Sequence, residues 1–219
     1  MIGSGTVPLT LMVLTAPLAH GQEVAFKGAI VRSHLNAEGT MPFDQPLIAT
    51  SLGGHVRFDF GPIALQPELH IVTRGGTVED GHPQAPDAED QQLRLEYLEI
   101  PLLIALPVQL GNFELVAIGG PMIALESRCR YVFVVGDVKT NVGCDPPSDP
   151  LFGRRAFDYG LIAGAGVSYP LGSGRILIEA RQTWGMRDIY DGPDAVELFN
   201  RSFSLMLGYV VSWTEPAEL

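Results

Sequence analysis

Arg57, Asp59, Glu68, Asp158, Arg175 and Glu179 each sit between apolar or small neighbours, as Glu99 does inside "LEYLEIPLLIALP", and Arg181 lies between Ala180 and Gln182. Carboxylates and guanidiniums set out this way could catalyse, bind a hard cation, or pair with one another. Catalysis needs a nucleophile and a base oriented toward each other. The best candidate is Ser33 with His34, but adjacent residues on a strand point to opposite faces. His55 and His70 share the parity of the charges, where a structural hydrogen bond is the ordinary role. No catalytic residue is expected, and the chain reads as a non-enzyme. The acidic runs Glu79, Asp80, Asp87, Glu89, Asp90 and Asp188, Asp191, Asp194, Glu197 make Ca²⁺ conceivable, since carboxylates are hard-cation ligands. They lack the spacing of a calcium loop, so solvated loops, with no metal and no cofactor, are the expectation.

What positions these charges is a strand pattern. In "LIATSLGGHVRFDF", Ile48, Leu52, Val56, Phe58 and Phe60 alternate with Ser51, His55, Arg57 and Asp59. In "PIALQPELHIVTR", Ile63, Leu65, Pro67, Leu69 and Ile71 alternate with Gln66, Glu68, His70 and Arg74. Period two is the signature of a strand with two unlike faces. Eight such segments are predicted, near 24–34, 47–60, 62–74, 92–106, 112–126, 156–169, 174–186 and 201–213. Tight Gly/Pro turns at 60–62, 107–112 and 169–174 alternate with longer polar stretches near 35–46, 75–91, 127–155 and 187–200. That alternation belongs to an up-and-down barrel with one short-turned and one long-looped rim.

The two faces separate a membrane barrel from a soluble one. The polar parity is rich in small residues, as in Gly160, Gly164, Gly166 and Ser168, which suit a narrow interior better than a wetted surface. The apolar parity turns aromatic near the strand ends: Phe58, Phe60, Phe113, Phe157, Tyr159, Tyr169, Trp184, Phe203, Tyr209 and Trp213. Aromatic girdles mark membrane barrels. The fold expected is all-β: an antiparallel, up-and-down membrane β-barrel of eight strands, with short periplasmic turns and long outer loops. A soluble exported ligand-binding barrel is the alternative.

Export fits. Residues 1–21 read as a signal peptide, with the apolar core "VPLTLMVLTAPLA" and small residues at Ala19 and Gly21, leaving 22–219 as the barrel domain. No Lys or Arg precedes that core, which departs from the usual pattern. In an oxidising compartment Cys129 and Cys144 are expected to form a disulfide. Net charge of −11 argues against nucleic acid, whose phosphates call for Lys and Arg.

An eight-stranded interior is only wide enough for side chains to fill. Charges there are desolvated and must pair. Arg57, Asp59, Glu68, Glu99, Asp158, Arg175, Glu179 and Arg181 are therefore expected to form an ion-pair plug, with a small-solute path as the alternative. Glu99 is expected at mid-depth, level with Glu68 and Glu179, beside Arg57 or Arg181. Pro101, which cannot donate to a ladder, is expected to leave a missing bond or a bulge. Leu93, Leu95 and Tyr97 take the parity opposite to Leu98 and Ile100. Either a bulge reverses the faces near Leu98, or Arg94 and Glu96 face a polar outer interface.

"LQPELHIVTRGG" (65–76), "YLEIPLLI" (97–104), "GGP" (119–121), "YGLIAGAGVSY" (159–169) and "NRSFSLMLGY" (200–209) resemble the Bacteroidetes-type PorT-like outer-membrane β-barrel family, in order and spacing, over nearly all of residues 22–219. The first strand has fewer glycines than that family usually shows, and "TEPAEL" follows the terminal aromatic. The resemblance implies an outer-membrane barrel of about eight strands and no particular reaction. The expected protein is a monomer in outer-membrane lipid, working by binding, adhesion or envelope support through acidic outer loops. An accessory subunit of a secretion or envelope-assembly system, with an envelope protein partner, is the other reading.

Overall fold

A computed structural model describes residues 22–38, 45–79, 90–136, 138–144, 155–190 and 197–213. The expected signal peptide, the tail after Trp213, and the acidic residues Asp80, Asp87, Glu89, Asp191 and Asp194 lie outside them. Nine strands are described: β1 (Gln22–Glu38), β2 (Gln45–Phe60), β3 (Ile63–Glu79), β4 (Asp90–Leu110), β5 (Phe113–Val135), β6 (Val138–Gly143), β7 (Phe157–Leu171), β8 (Gly174–Gly185) and β9 (Glu197–Trp213). Eight of them close a barrel in the order β1-β2-β3-β4-β5-β7-β8-β9, every pairing antiparallel. The seam is β1 against β9, in register from Gln22↔Trp213 to Glu38↔Glu197.

Three two-residue turns lie on one rim, between Phe60 and Ile63, Leu110 and Phe113, and Leu171 and Gly174. Each begins with a glycine of positive φ, Gly61 at 71°, Gly111 at 60° and Gly172 at 64°. Tight hairpins need such φ values because only the primed turns match the strand twist.

Most strands are longer than the sequence pattern predicts, β8 (12 residues) being the exception. β4 has 21 residues and β5 has 23, against the roughly 9–11 that cross a bilayer. Much of the polar stretches near 35–46, 75–91, 127–155 and 187–200 is strand. Toward the short-turn rim the outer wall is apolar: Phe203, Leu205, Leu207 and Tyr209 are 48, 52, 57 and 37 % exposed. Beyond Ile30, Ile71 and Leu98 the outward positions become Arg32, Thr73, Glu96 and Arg94. The interior changes there as well. Leu35, Leu47, Leu93, Leu95, Tyr131 and Leu198 are buried inside the far half. This half is a collar of ordinary amphipathic strands, apolar inward and polar outward, standing above the membrane band.

β4 keeps its parity throughout, with Leu93, Leu95, Tyr97, Glu99 and Pro101 all inward. Arg94 and Glu96 thus face outward, the second of the two expectations. The bulge falls on β5. Glu96 pairs with Arg128 and Tyr97 with Glu126, so Ser127 is the extra residue. Its hydroxyl donates to the Glu96 carbonyl at 3.1 Å. Below it Val116, Ile118, Met122 and Ala124 point inward; above it Cys129 and Tyr131 do. No bulge forms at Pro101, which keeps its register against Met122. Toward β3 the ladder lapses between Pro67↔Leu102 and His70↔Glu99, so the proline leaves missing pairs instead.

β6 was not foreseen. It extends β5 as a hairpin from Arg130↔Gly143 to Val135↔Val138. Cys129 and Cys144 close its base as a disulfide, with Cα atoms 5.4 Å apart.

Candidate functional site: lumen and outer rim

The lumen charges sort by height, counted from the short-turn rim. Glu23, Glu114 and Arg175 are the second residues of β1, β5 and β8. Lys27, Glu68 and Glu179 are the sixth of β1, β3 and β8. Each level forms its own cluster.

At the mouth, Arg57 reaches Glu23 at 3.0 Å, Glu114 at 2.8 Å and Asp59 at 3.2 Å. Arg175 pairs with Glu23, and Ser212 donates to the same carboxylate at 3.2 Å. At the second level, Lys27 Nζ lies 3.2 Å from both Glu68 and Glu179. Arg181 forks onto Glu68 at 2.5 and 2.8 Å and also holds Glu179. Gln66 donates to Glu68 at 2.6 Å, and His70 Nε2 lies 2.8 Å from it. Two cations and two carboxylates balance here, which is what a desolvated site requires.

Glycine makes room for the two long cations. Gly208 faces Lys27 and Gly164 faces Arg181 across their ladders. A Cβ would stand 3.1 Å from Lys27 Cγ at the first and 3.0 Å from Arg181 Cγ at the second. A backbone carbonyl is nearer still at each, Phe26 O at 2.9 Å and Ala180 O at 2.5 Å, so these two glycines also let the neighbouring strand approach.

The third level differs from expectation. Glu99 is well above Glu68 and Glu179, and its partner is Arg74, not Arg57 or Arg181. Arg74 also lies over the Tyr97 ring, 5.9 Å from its centroid. Asp158 is fully buried without a guanidinium: Asn200 donates to it at 2.9 Å and to Tyr97 Oη at 3.2 Å. An amide serves there because the level borders the apolar interior of the collar.

The plug as read from sequence therefore divides into three groups. Arg57, Asp59 and Arg175 share the mouth; Glu68, Glu179 and Arg181 share the second level; Glu99 and Asp158 lie above. Sequence reading omitted Glu23, Lys27, Arg74 and Glu114 from the plug. All four have the inward parity, and counting residues from each short turn would have found their levels.

Above the band the fastenings are local. Asp188 Oδ1 accepts from the backbone N–H groups of Tyr190 at 3.0 Å and Leu198 at 2.8 Å, and Arg155 donates to its other oxygen at 3.1 Å. His34, outside the membrane band, has its pKa lowered by burial and then by Arg32 and Arg201. Among the described residues no group of three or more His, Cys, Asp or Glu could hold a metal ion.

A closed eight-stranded barrel with an apolar girdle and a polar, ion-paired interior defines an outer-membrane barrel protein. The chain belongs to the outer membrane protein beta-barrel domain family, whose model matches residues 20–191. No curated protein sequence matches it. Among solved structures it is similar to Neisserial surface protein A, with 11% identity, 87% of this chain and 96% of that one covered, and a TM-score of 0.48. It is also similar to Ail, the attachment invasion locus protein of Yersinia pestis, with 11% identity, 87% and 99% covered, and a TM-score of 0.42. A third is the outer membrane protease OmpT of Escherichia coli, with 10% identity, 89% and 97% covered, and a TM-score of 0.49.

Proposed function

We propose that this barrel is a monomeric, non-enzymatic anchor that presents a rigid outer collar and the β5–β6 hairpin for binding, adhesion or envelope support. The observation that carries this reading is the filled interior. Ion pairs occupy the lower lumen and leucines and tyrosines the upper, and a cavity among Glu23, His55, Arg57 and Glu179 has only about 10 Å³, room for about one water. Binding through the outer surface then accounts for the long strands and the disulfide at the hairpin's base. The motifs "LQPE" and "YLEIP" support the finer assignment to the PorT-like branch.

The two lysines provide the test. Lys27 is sealed in the lumen, whereas Lys139 lies on the exposed face of β6. An amine-reactive cross-linker on intact cells therefore reports on the hairpin. Cross-links from Lys139 to a surface or extracellular partner are expected. Cross-links confined to the chain's amino terminus and a periplasmic protein would replace this reading with the secretion or assembly accessory. In planar bilayers no steady conductance is expected; a stable open pore would overturn the filled lumen as its basis.

A further inference from the structure

Five outward-facing arginines lie beyond the apolar band, where the wall gives way to the collar. Arg32, Arg94, Arg128, Arg130 and Arg201 lie there, with Glu96 as the carboxylate among them. Glu96 takes Arg130 and Arg128, and Arg94 donates to Gln92 at 2.9 Å. Arg32 and Arg201 are different: among the described residues neither has a carboxylate partner. They stand on neighbouring strands at the barrel seam. Arg201 faces His34 across the β1–β9 ladder and Trp184 on β8, and Arg32 faces Phe203. Both are near enough to His34 to depress its pKa.

Like charges side by side on a sheet face repel. A surface that keeps two guanidiniums and an imidazole together, with no acid paired to them among the described residues, is complementary to an anion, and guanidinium matches phosphate with paired hydrogen bonds. Height identifies the carrier. Directly below are Ile30 and Phe203, 62 and 48 % exposed. An anion bound by Arg32 and Arg201 therefore sits above a surface that takes an acyl chain. We propose that Arg32 and Arg201, with His34 beside them, bind the phosphate headgroup of an anionic lipid in the outer leaflet. A free soluble anion would leave the apolar part of the site unused.

The probe is diphosphorylated lipid A, titrated into the whole barrel in neutral detergent and read by native mass spectrometry. The pair Arg32→Gln with Arg201→Gln is expected to weaken binding about tenfold or more, as loss of charge-assisted bonds does. The pair Arg128→Gln with Arg130→Gln, whose charge Glu96 partly offsets, is expected to change it less than about twofold. Equal losses in both pairs, or no loss in the first, overturn the proposal. Arg32→Lys with Arg201→Lys keeps the charge and must lose less than the glutamine pair; equal loss overturns it too. Dephosphorylated lipid that binds as well as the probe removes the phosphate, and inorganic phosphate that displaces the probe at equal concentration removes the lipid. Heat-modifiable migration on gels checks that each variant is folded.

Discussion

The two halves of the barrel use the same pleat in opposite senses. Below Glu99 the wall offers Ile100, Leu102 and Ile104 outward, and the interior holds Lys27, Glu68, Glu179 and Arg181. Above it the same strand turns Arg94 and Glu96 outward and Leu93, Leu95 and Tyr97 inward. The strands stay antiparallel on both sides of the boundary; the surroundings of the wall change. In hydrocarbon the apolar face is best outside, and the interior must then be neutralised pair by pair. In water the apolar face returns inside and packs without directional partners. The lower interior should therefore fail abruptly when one group is removed, and the upper should fail by degrees.

The sharpest way to break that contrast is Glu68→Leu. It leaves Lys27 and Arg181 with only Glu179, and should cost about 3–5 kcal/mol. Urea titration of the barrel in lipid vesicles measures it. Lys27→Met together with Glu68→Leu should recover most of the loss, since charge balance returns with Arg181 on Glu179. If the double variant is no better than the single, pairing is not what stabilises that level.

In the collar, Leu95→Ala should cost about 2–5 kcal/mol, the usual range for a buried leucine. Here hydrogen exchange should rise in the collar while the lower strands stay protected. Loss of protection throughout would mean the halves are one cooperative unit.

Cys129→Ser with Cys144→Ser should cost about 3 kcal/mol by the chain-entropy estimate for a 15-residue separation. Its effect should stay within the β5–β6 hairpin, seen as protease cleavage there in an otherwise folded barrel. Asp188→Asn removes charge from an acceptor of two backbone N–H groups and should cost about 1–2 kcal/mol, read as faster exchange at Tyr190 and Leu198. The smallest effect is expected for Arg130→Gln, about 0–1 kcal/mol, because that pair with Glu96 is solvent-screened.

The same contrast explains what the sequence disclosed. Strands within the band were legible because Leu, Ile and aromatics alternate with Gly, Ser and isolated charges. The collar was not, because its inward leucines alternate with Arg, Glu, Asn and Thr, as in "HLNAE" and "DQQLRLE", which reads as loop when lipid-facing parity is sought. β6 is six residues of "VKTNVG", too short and too mixed to stand out. The membership of the plug was legible by parity, but partner choice needed height. Arg57 is the fourth residue from the end of β2 and Glu99 the twelfth from the end of β4, so they lie on different levels although both point inward. Lys27 was overlooked for a related reason: in "VAFKGAIV" a single cation among alanine and glycine does not declare a partner on strands β3 and β8.

Ser127 has a consequence for how the chain can change length. A strand that alternates in twos carries a parity from its turn to its tip, and the bulge resets that parity once. Insertion or loss of one residue between Phe113 and Ser127 would turn Cys129 and Tyr131 to the outside and carry Arg128 and Arg130 into the leucines. Two residues gained or lost would preserve every face. Removing Ser127 itself should compensate for a single insertion below it, an intragenic suppression that a library of paired indels in β5 would reveal as surviving disulfide-linked hairpins.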